Sequence, residues 1–313
     1  MKKQIFSLAA LFLTVLLISS CTGGDTWSIE EIDTSATMGP DKGSLVIVGG
    51  AMRDTAIIDR FIELAGGRDA SIVVIPTASG AREINAERYT RFLTRRGASD
   101  VTLVHTYDSA EACTEGFADP IREASGLWFT GGRQWRIVDA YAGTPVEEAI
   151  RGVLERGGVI GGSSAGATIQ GSYLVRGDTK TNTIMMGDHE EGFAYLKASA
   201  IDQHLLARNR QHDLVEVIEA HPELLGIGLD ENTAIVVSGN EFEVIGESFV
   251  AIYDYNLWNG NEEEGTALSN GGRFFLLRAG DRYNVQKREV TEWSGGSSRD
   301  IFTVADTTES AKN

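Results

Sequence analysis

The sequence is short of cysteine, of histidine and of cationic side chains, and each shortage narrows what the chain can be. Its two cysteines, Cys21 and Cys113, cannot build a disulfide framework, so the fold must rest on a hydrophobic core. The histidines are His105, His189, His204, His212 and His221. His189-Glu190-Glu191 lacks a second histidine four residues on, so the helical zinc-protease pattern fails. Neither a metal nor a cofactor is expected. Lysine and arginine number 28 against 45 aspartates and glutamates, for a formal charge of −17. That surface repels nucleic acid and anionic headgroups and excludes both as partners. A membrane-spanning apolar run is also missing: Leu8 to Ile18 is too short for a comfortable span.

That short run has another reading. Lys2 and Lys3 precede it, and Ile18-Ser19-Ser20-Cys21 follows it and resembles a bacterial lipobox. Residues 1–20 therefore read as a lipoprotein signal peptide with Cys21 as the lipidated new N-terminus. The mature protein is expected outside the cytoplasm, on the periplasmic or cell-surface side, touching the membrane only through that lipid. Residues 21–42 are polar and aperiodic and read as a tether. Cys113 is then unpaired, and is expected to be a buried or half-buried structural residue. Residues 294–313 are rich in Ser, Gly and Thr and read as a flexible tail.

What the chain has in quantity is glycine, 36 residues, which suits tight turns between short elements. Ser44–Val48, Ser71–Ile75, Val101–Val104, Leu127–Phe129 and Val159–Ile160 read as buried strands. Between them, helical stripes run over residues 57–64, 82–96 and 145–156. Alternating strands and helices predict an α/β fold, a mostly parallel sheet with helices on both faces. In such sheets the loops at the carboxyl ends of the strands form the ligand crevice. Gly49-Gly50, Gly131-Gly132 and Ser164 all fall at such ends. Leu205–Ala220 reads as one helix. Beyond it, residues 234–237, 242–245, 249–253 and 274–277 read as antiparallel hairpins. The catalytic domain is taken as 43–255, with 256–293 as a β-rich extension packed on it.

Gly162-Ser163-Ser164-Ala165-Gly166 fits G-x-S-x-G, a sharp strand-to-helix turn that projects its serine into the crevice. Such a serine needs a base. An α/β-hydrolase would place its histidine late, after serine and acid, and none follows His221. That fold is disfavoured.

Further segments complete a set: Phe129-Thr130-Gly131-Gly132-Arg133-Gln134, Asp202-Gln203-His204, Arg208-Asn209-Arg210 and Gly228-Leu229-Asp230-Glu231-Asn232-Thr233-Ala234. In order and approximate spacing the chain resembles the cyanophycinase and aspartyl-dipeptidase family of serine peptidases over roughly residues 43–255. The resemblance implies a flavodoxin-like sheet, related to class I glutamine amidotransferases. It also implies an exopeptidase that cleaves next to aspartyl residues, cyanophycin and its β-Asp-Arg units being one substrate, and a homodimer. It puts the nucleophile on Ser164, the base on His204 and the acid on Glu231, ahead of Asp230. The oxyanion donors fall on Ala165 and on Gly131 or Gly132. Substrate contacts fall on Gln134, Asp202, Gln203, Arg208 and Arg210, with Asp202 facing a substrate amine or guanidinium.

Three positions depart from the family pattern. Arg53 follows the first Gly-Gly where an acidic residue is usual, Arg133 replaces an aspartate, and Asp213 stands where a third arginine is usual. All three bear on substrate reading and leave the triad intact. Two other readings therefore stand beside the first: an α-aspartyl dipeptidase of the same family, and a tethered peptide-binding lipoprotein without turnover.

Overall fold

The computed structural model describes residues 37–258 and 273–295. The expected signal peptide, Cys21, the tether up to residue 36 and the tail from 296 lie outside the described residues. Among those described, no helix is long and apolar enough to cross a membrane.

In chain order the elements are β1 (Ser44–Val48), α1 (Thr55–Leu64), β2 (Ser71–Ile75), α2 (Ala86–Thr94), β3 (Asp100–Leu103), α3 (Ser109–Ala112), α4 (Asp119–Glu123), β4 (Gly126–Phe129), α5 (Trp135–Tyr141) and α6 (Pro145–Glu155). Then follow β5 (Val159–Ser163), α7 (Ala165–Thr168), β6 (Gly171–Tyr173), β7 (Leu196–Gln203), α8 (Asp213–Ala220), β8 (Leu225–Leu229), β9 (Thr233–Ser238), β10 (Glu241–Gly246) and β11 (Phe249–Tyr253). The last are α9 (Tyr255–Trp258), β12 (Phe275–Arg278), β13 (Arg282–Asn284) and β14 (Glu289–Glu292).

The expected parallel sheet is present. Strands β3, β2, β4, β5 and β1 lie side by side and parallel. Strand β9 continues the sheet antiparallel to β1, and β10, β13 and β14 extend it to nine strands. Successive side chains of β1 enter opposite cores. Val46 and Val48 meet Ile57, Phe61 and Trp128 on the α1 side, while Leu45 and Ile47 enter the larger cluster behind. A strand buried on both faces has no reason to alternate polar and apolar residues, which is why these strands read as unbroken apolar runs.

A second sheet of five strands, ordered β12-β11-β8-β7-β6, packs on the larger cluster. Ile201, Ile227, Leu229 and Ile252 share that cluster with Leu45, Ile47 and Ile235. Helices therefore do not cover the whole of the sheet's second face; part of it is covered by this sheet. The later strands are likewise divided. Strands β9 and β10 form a hairpin in the large sheet, whereas β11 pairs with β8 and β12 in the small one.

Other expectations shift. The charged helix is shorter than 82–96 because Asn85 caps it, its side chain accepting from the Arg88 N–H. Cys113 is exposed, not buried. The single helix from Leu205 to Ala220 is broken. His204 and Asn209 have positive φ values of 56° and 55°, conformations no helix interior holds, so residues 205–210 form a turn and only α8 is helical.

Candidate active site

Strand β5 ends at Ser163, and the chain reverses within one residue into α7. Ser164 takes φ 57° and ψ −112°, a costly geometry for a residue with a Cβ. Both flanking glycines are sterically required. A Cβ on Gly162 would lie 2.1 Å from the Gly166 carbonyl oxygen, and one on Gly166 would lie 2.3 Å from that of Phe129. The Ser164 N–H donates to the Val48 carbonyl at 3.0 Å, which ties the elbow to the end of β1.

From the small sheet, His204 follows β7 and turns towards the serine. Its Nε2 lies 2.9 Å from Ser164 Oγ and its Nδ1 2.7 Å from Glu231 Oε1. The His204 N–H donates to the Gly49 carbonyl at 2.9 Å. Gly50 has φ 133°, and a Cβ there would come 2.3 Å from the imidazole Cε1. The first Gly-Gly pair therefore makes room for the histidine ring. Asp230, the other acidic candidate, does different work: its Oδ1 accepts from the Leu206 and Ala207 N–H groups at 2.9 Å each, and its Oδ2 from Ser248 Oγ at 2.6 Å. It fixes the turn that carries His204.

Asn232, next after Glu231, accepts on Oδ1 from the Arg53 and Asp54 N–H groups at 2.7 and 2.6 Å. The loop after β1 is thereby fastened to the loop that carries Glu231. Gly131 faces the elbow, since its position lies 3.3 Å from Ser164 Cβ when a Cβ is built on it. The N–H groups of Ala165, Gly131 and Gly132 donate to no acceptor among the described residues.

Burial pushes the His204 pKa below the ordinary 6.5. Glu231 pulls it up, and the guanidinium groups of Arg208 and Arg210 push it further down. The imidazole is thus held neutral at physiological pH while hydrogen-bonded to a hydroxyl and a carboxylate. A serine, a neutral histidine and a carboxylate in this order can move a proton off the hydroxyl as it attacks a carbonyl.

The residues expected to touch substrate divide. Arg208 is exposed and Arg210 is 8% exposed. Gln203 is turned inward, its Oε1 accepting from Arg210 Nη1 at 3.0 Å. Gln134 is buried and donates Nε2 to the Val175 and Arg176 carbonyls at 2.5 and 3.0 Å. Asp202 does not face an open subsite: it is wholly buried, with both oxygens on Arg176. Sequence reasoning missed Arg176. It sits between the apolar run Tyr173-Leu174-Val175 and Gly177, and its carboxylate partners are far away in the chain.

A family model for peptidase family S51 matches residues 45–245. The chain belongs to peptidase family S51. A cyanophycinase from Geminocystis herdmanii is 33% identical over 256 residues, 78% of this chain and 94% of that protein. One from Trichormus variabilis is 31% identical over 262 residues, 80% of this chain and 88% of that protein. The crystal structure of a peptidase from an acI-B1 Actinobacterium shares the fold, with a TM-score of 0.59 and 21% identity over 78% of this chain and 97% of that one. The flavodoxin-like architecture expected from the sequence is therefore the fold of this S51 member, and the chain is a peptidase.

Proposed function

We propose that this S51 peptidase is an exported serine exopeptidase that hydrolyses aspartyl-containing peptides through an acyl-enzyme on Ser164. The observation that carries the reading is the unbroken relay from Ser164 Oγ through His204 to Glu231, at 2.9 and 2.7 Å. Ser164 Oγ attacks the carbonyl carbon while His204 Nε2 takes its proton. The oxygen that gains the charge is received by the N–H groups of Ala165 and of Gly131 or Gly132. Loss of one such donor costs about 10²–10³-fold in rate. His204 then protonates the leaving amine, and water, activated by the same histidine, releases the acyl group. Glu231 keeps Nδ1 protonated and stabilises the imidazolium. The aspartyl preference is supported by the cyanophycinase relatives, and Arg208 and Arg210 supply the guanidinium forks that suit an aspartyl carboxylate. Export through a lipidated Cys21 and assembly as a homodimer belong to the same proposal.

The test is hydrolysis by the soluble form that starts after Cys21. Its substrates are cyanophycin, oligomers of β-Asp-Arg units and matching α-aspartyl peptides, each run beside Ser164→Ala. Turnover should fall at least about 10⁴-fold in the variant. Undiminished turnover would remove Ser164 as nucleophile, and Ser164-dependent cleavage of α-aspartyl dipeptides alone would assign the dipeptidase activity instead.

A further inference from the structure

Behind the triad lies a closed cluster of buried charges. Asp202, two residues before His204, is wholly buried, and a single guanidinium takes both its oxygens: Arg176 Nε on Oδ1 at 2.9 Å and Nη2 on Oδ2 at 3.0 Å. Arg176 is 2% exposed. It also donates Nη1 to the Asn182 carbonyl at 2.9 Å and Nη2 to Asp213 at the start of α8. Its backbone is held at φ 57° and is gripped by Gln134, whose amide donates to the carbonyls of residues 175 and 176. Asp213 thus has an arginine partner after all, delivered by a different segment.

This arrangement decides what Asp202 can do. A bidentate carboxylate–guanidinium pair in a dry interior is strongly unfavourable to break from one side. Asp202 is consequently closed to any cation that a substrate brings. The second guanidinium beside Asp202 is only partly engaged. Arg210 uses Nη1 on the Gln203 carbonyl and Oε1, at 3.1 and 3.0 Å, and faces Asp202 Oδ1 with the same nitrogen at 3.9 Å, while its Nε and Nη2 have no hydrogen-bond acceptor among the described residues. Arg208 is exposed beside it. Both guanidinium groups are near enough to depress the His204 pKa. Arg133, next after the Gly131-Gly132 pair, has Nη1 buried without an acceptor among the described residues.

We propose that Arg176 is a specificity-determining, positioning residue: by closing Asp202 it makes the site select aspartyl peptides whose β-carboxylates are free over those whose β-carboxylates carry arginine. The proposal rests on the aspartyl-peptidase reading and names the form of aspartyl unit the site takes. A free β-carboxylate finds the Nε and Nη2 donors of Arg210 without a hydrogen-bond acceptor among the described residues. An arginine-bearing unit still offers a carboxylate, the arginine's own, but it also brings a guanidinium, and the buried Asp202 that could receive it is already occupied by Arg176.

The deciding experiment compares tetra-aspartate with a tetramer of β-Asp-Arg units, which share one backbone. The wild-type enzyme should favour tetra-aspartate in kcat/KM by about tenfold or more, with most of the difference in KM. Arg176→Gln should move that ratio towards the arginine-bearing peptide by about tenfold. Arg176→Lys keeps the charge but meets the carboxylate as a point charge, so it should move the ratio part-way; it also decides the matter if the Gln variant does not fold. A wild-type preference for the arginine-bearing peptide, or a folded Arg176 variant with the wild-type ratio, overturns the proposal. Should neither peptide be turned over, the serine-peptidase reading fails on its own. Calorimetric binding of the two peptides to the wild-type protein then ranks them, and tighter binding of the arginine-bearing one is the overturning result.

Discussion

His204 is the residue on which most constraints converge. A positive φ, the Gly49 carbonyl, the cleared space at Gly50 and the Glu231 carboxylate all hold one ring in one orientation. Gly50→Ala would set a methyl group against the imidazole and force a residue with a Cβ into φ 133°, so activity should fall while far-ultraviolet circular dichroism stays native. As the proposed base, His204 works only when neutral, and burial lowers its pKa. The acid limb of kcat/KM should therefore have its midpoint below 6.5. Arg208→Gln removes a cation that disfavours protonation, so that midpoint should move up. Glu231→Gln removes the group that favours protonation. The midpoint should move down, and kcat should drop by about 10⁴-fold as the tautomer is lost. A pH–rate series over the three proteins checks both signs. Ser164 was legible in its G-x-S-x-G turn, whereas His204 and Glu231 were placed by the family resemblance; the structure brings the three side chains within hydrogen-bond reach. Arg176 was not: its meaning lies in Asp202 and Asp213, 26 and 37 positions away, and no periodic pattern links them.

At the level of elements, the turn at residues 204–210 matters most, because its shape aims the base. Asp230 is its fastener. Asp230→Ala would remove the acceptor of two N–H groups and of the Ser248 hydroxyl, all in part-buried hydrogen bonds, a loss of about 1 kcal/mol or somewhat more. Thermal melting should drop by several degrees, and kcat should fall although Asp230 touches no reacting atom. Unchanged kcat would mean that the turn does not position His204. The same turn shows why part of the fold could not be read in advance. An apolar stripe over Leu205–Ala220 suggested one helix, but the two positive-φ residues that end it are a histidine and an asparagine, not glycines. Strands β1, β2, β4 and β5 were legible as apolar runs. Strand β7 was not: its sequence Leu-Lys-Ala-Ser-Ala-Ile-Asp-Gln is neither apolar throughout nor alternating, and its burial comes from the strands on either side. Without β7 and β8 the second sheet is invisible in the sequence.

Across the whole molecule, the Ser164–His204–Glu231 relay depends on two sheets keeping their places. Ser164 leaves the large sheet at β5, whereas His204 leaves the small one at β7, and a hydrogen bond of 2.9 Å must survive between them. What holds them is a common core. Ile47 of β1 and Ile227 of β8, both fully buried, belong to one apolar cluster. Two sheets that share a core should unfold together. Calorimetry should show one transition for the soluble form, and Ile47→Ala and Ile227→Ala should each lower it, by about 2–5 kcal/mol at the level of stability. A domain that merely rested on its neighbour would respond differently. Ile227→Ala would then split off an early transition from the small sheet, and hydrolysis would be lost at that first step while the large sheet stayed folded. One transition in both variants, with activity lost at the same temperature as structure, is the outcome that a shared core requires.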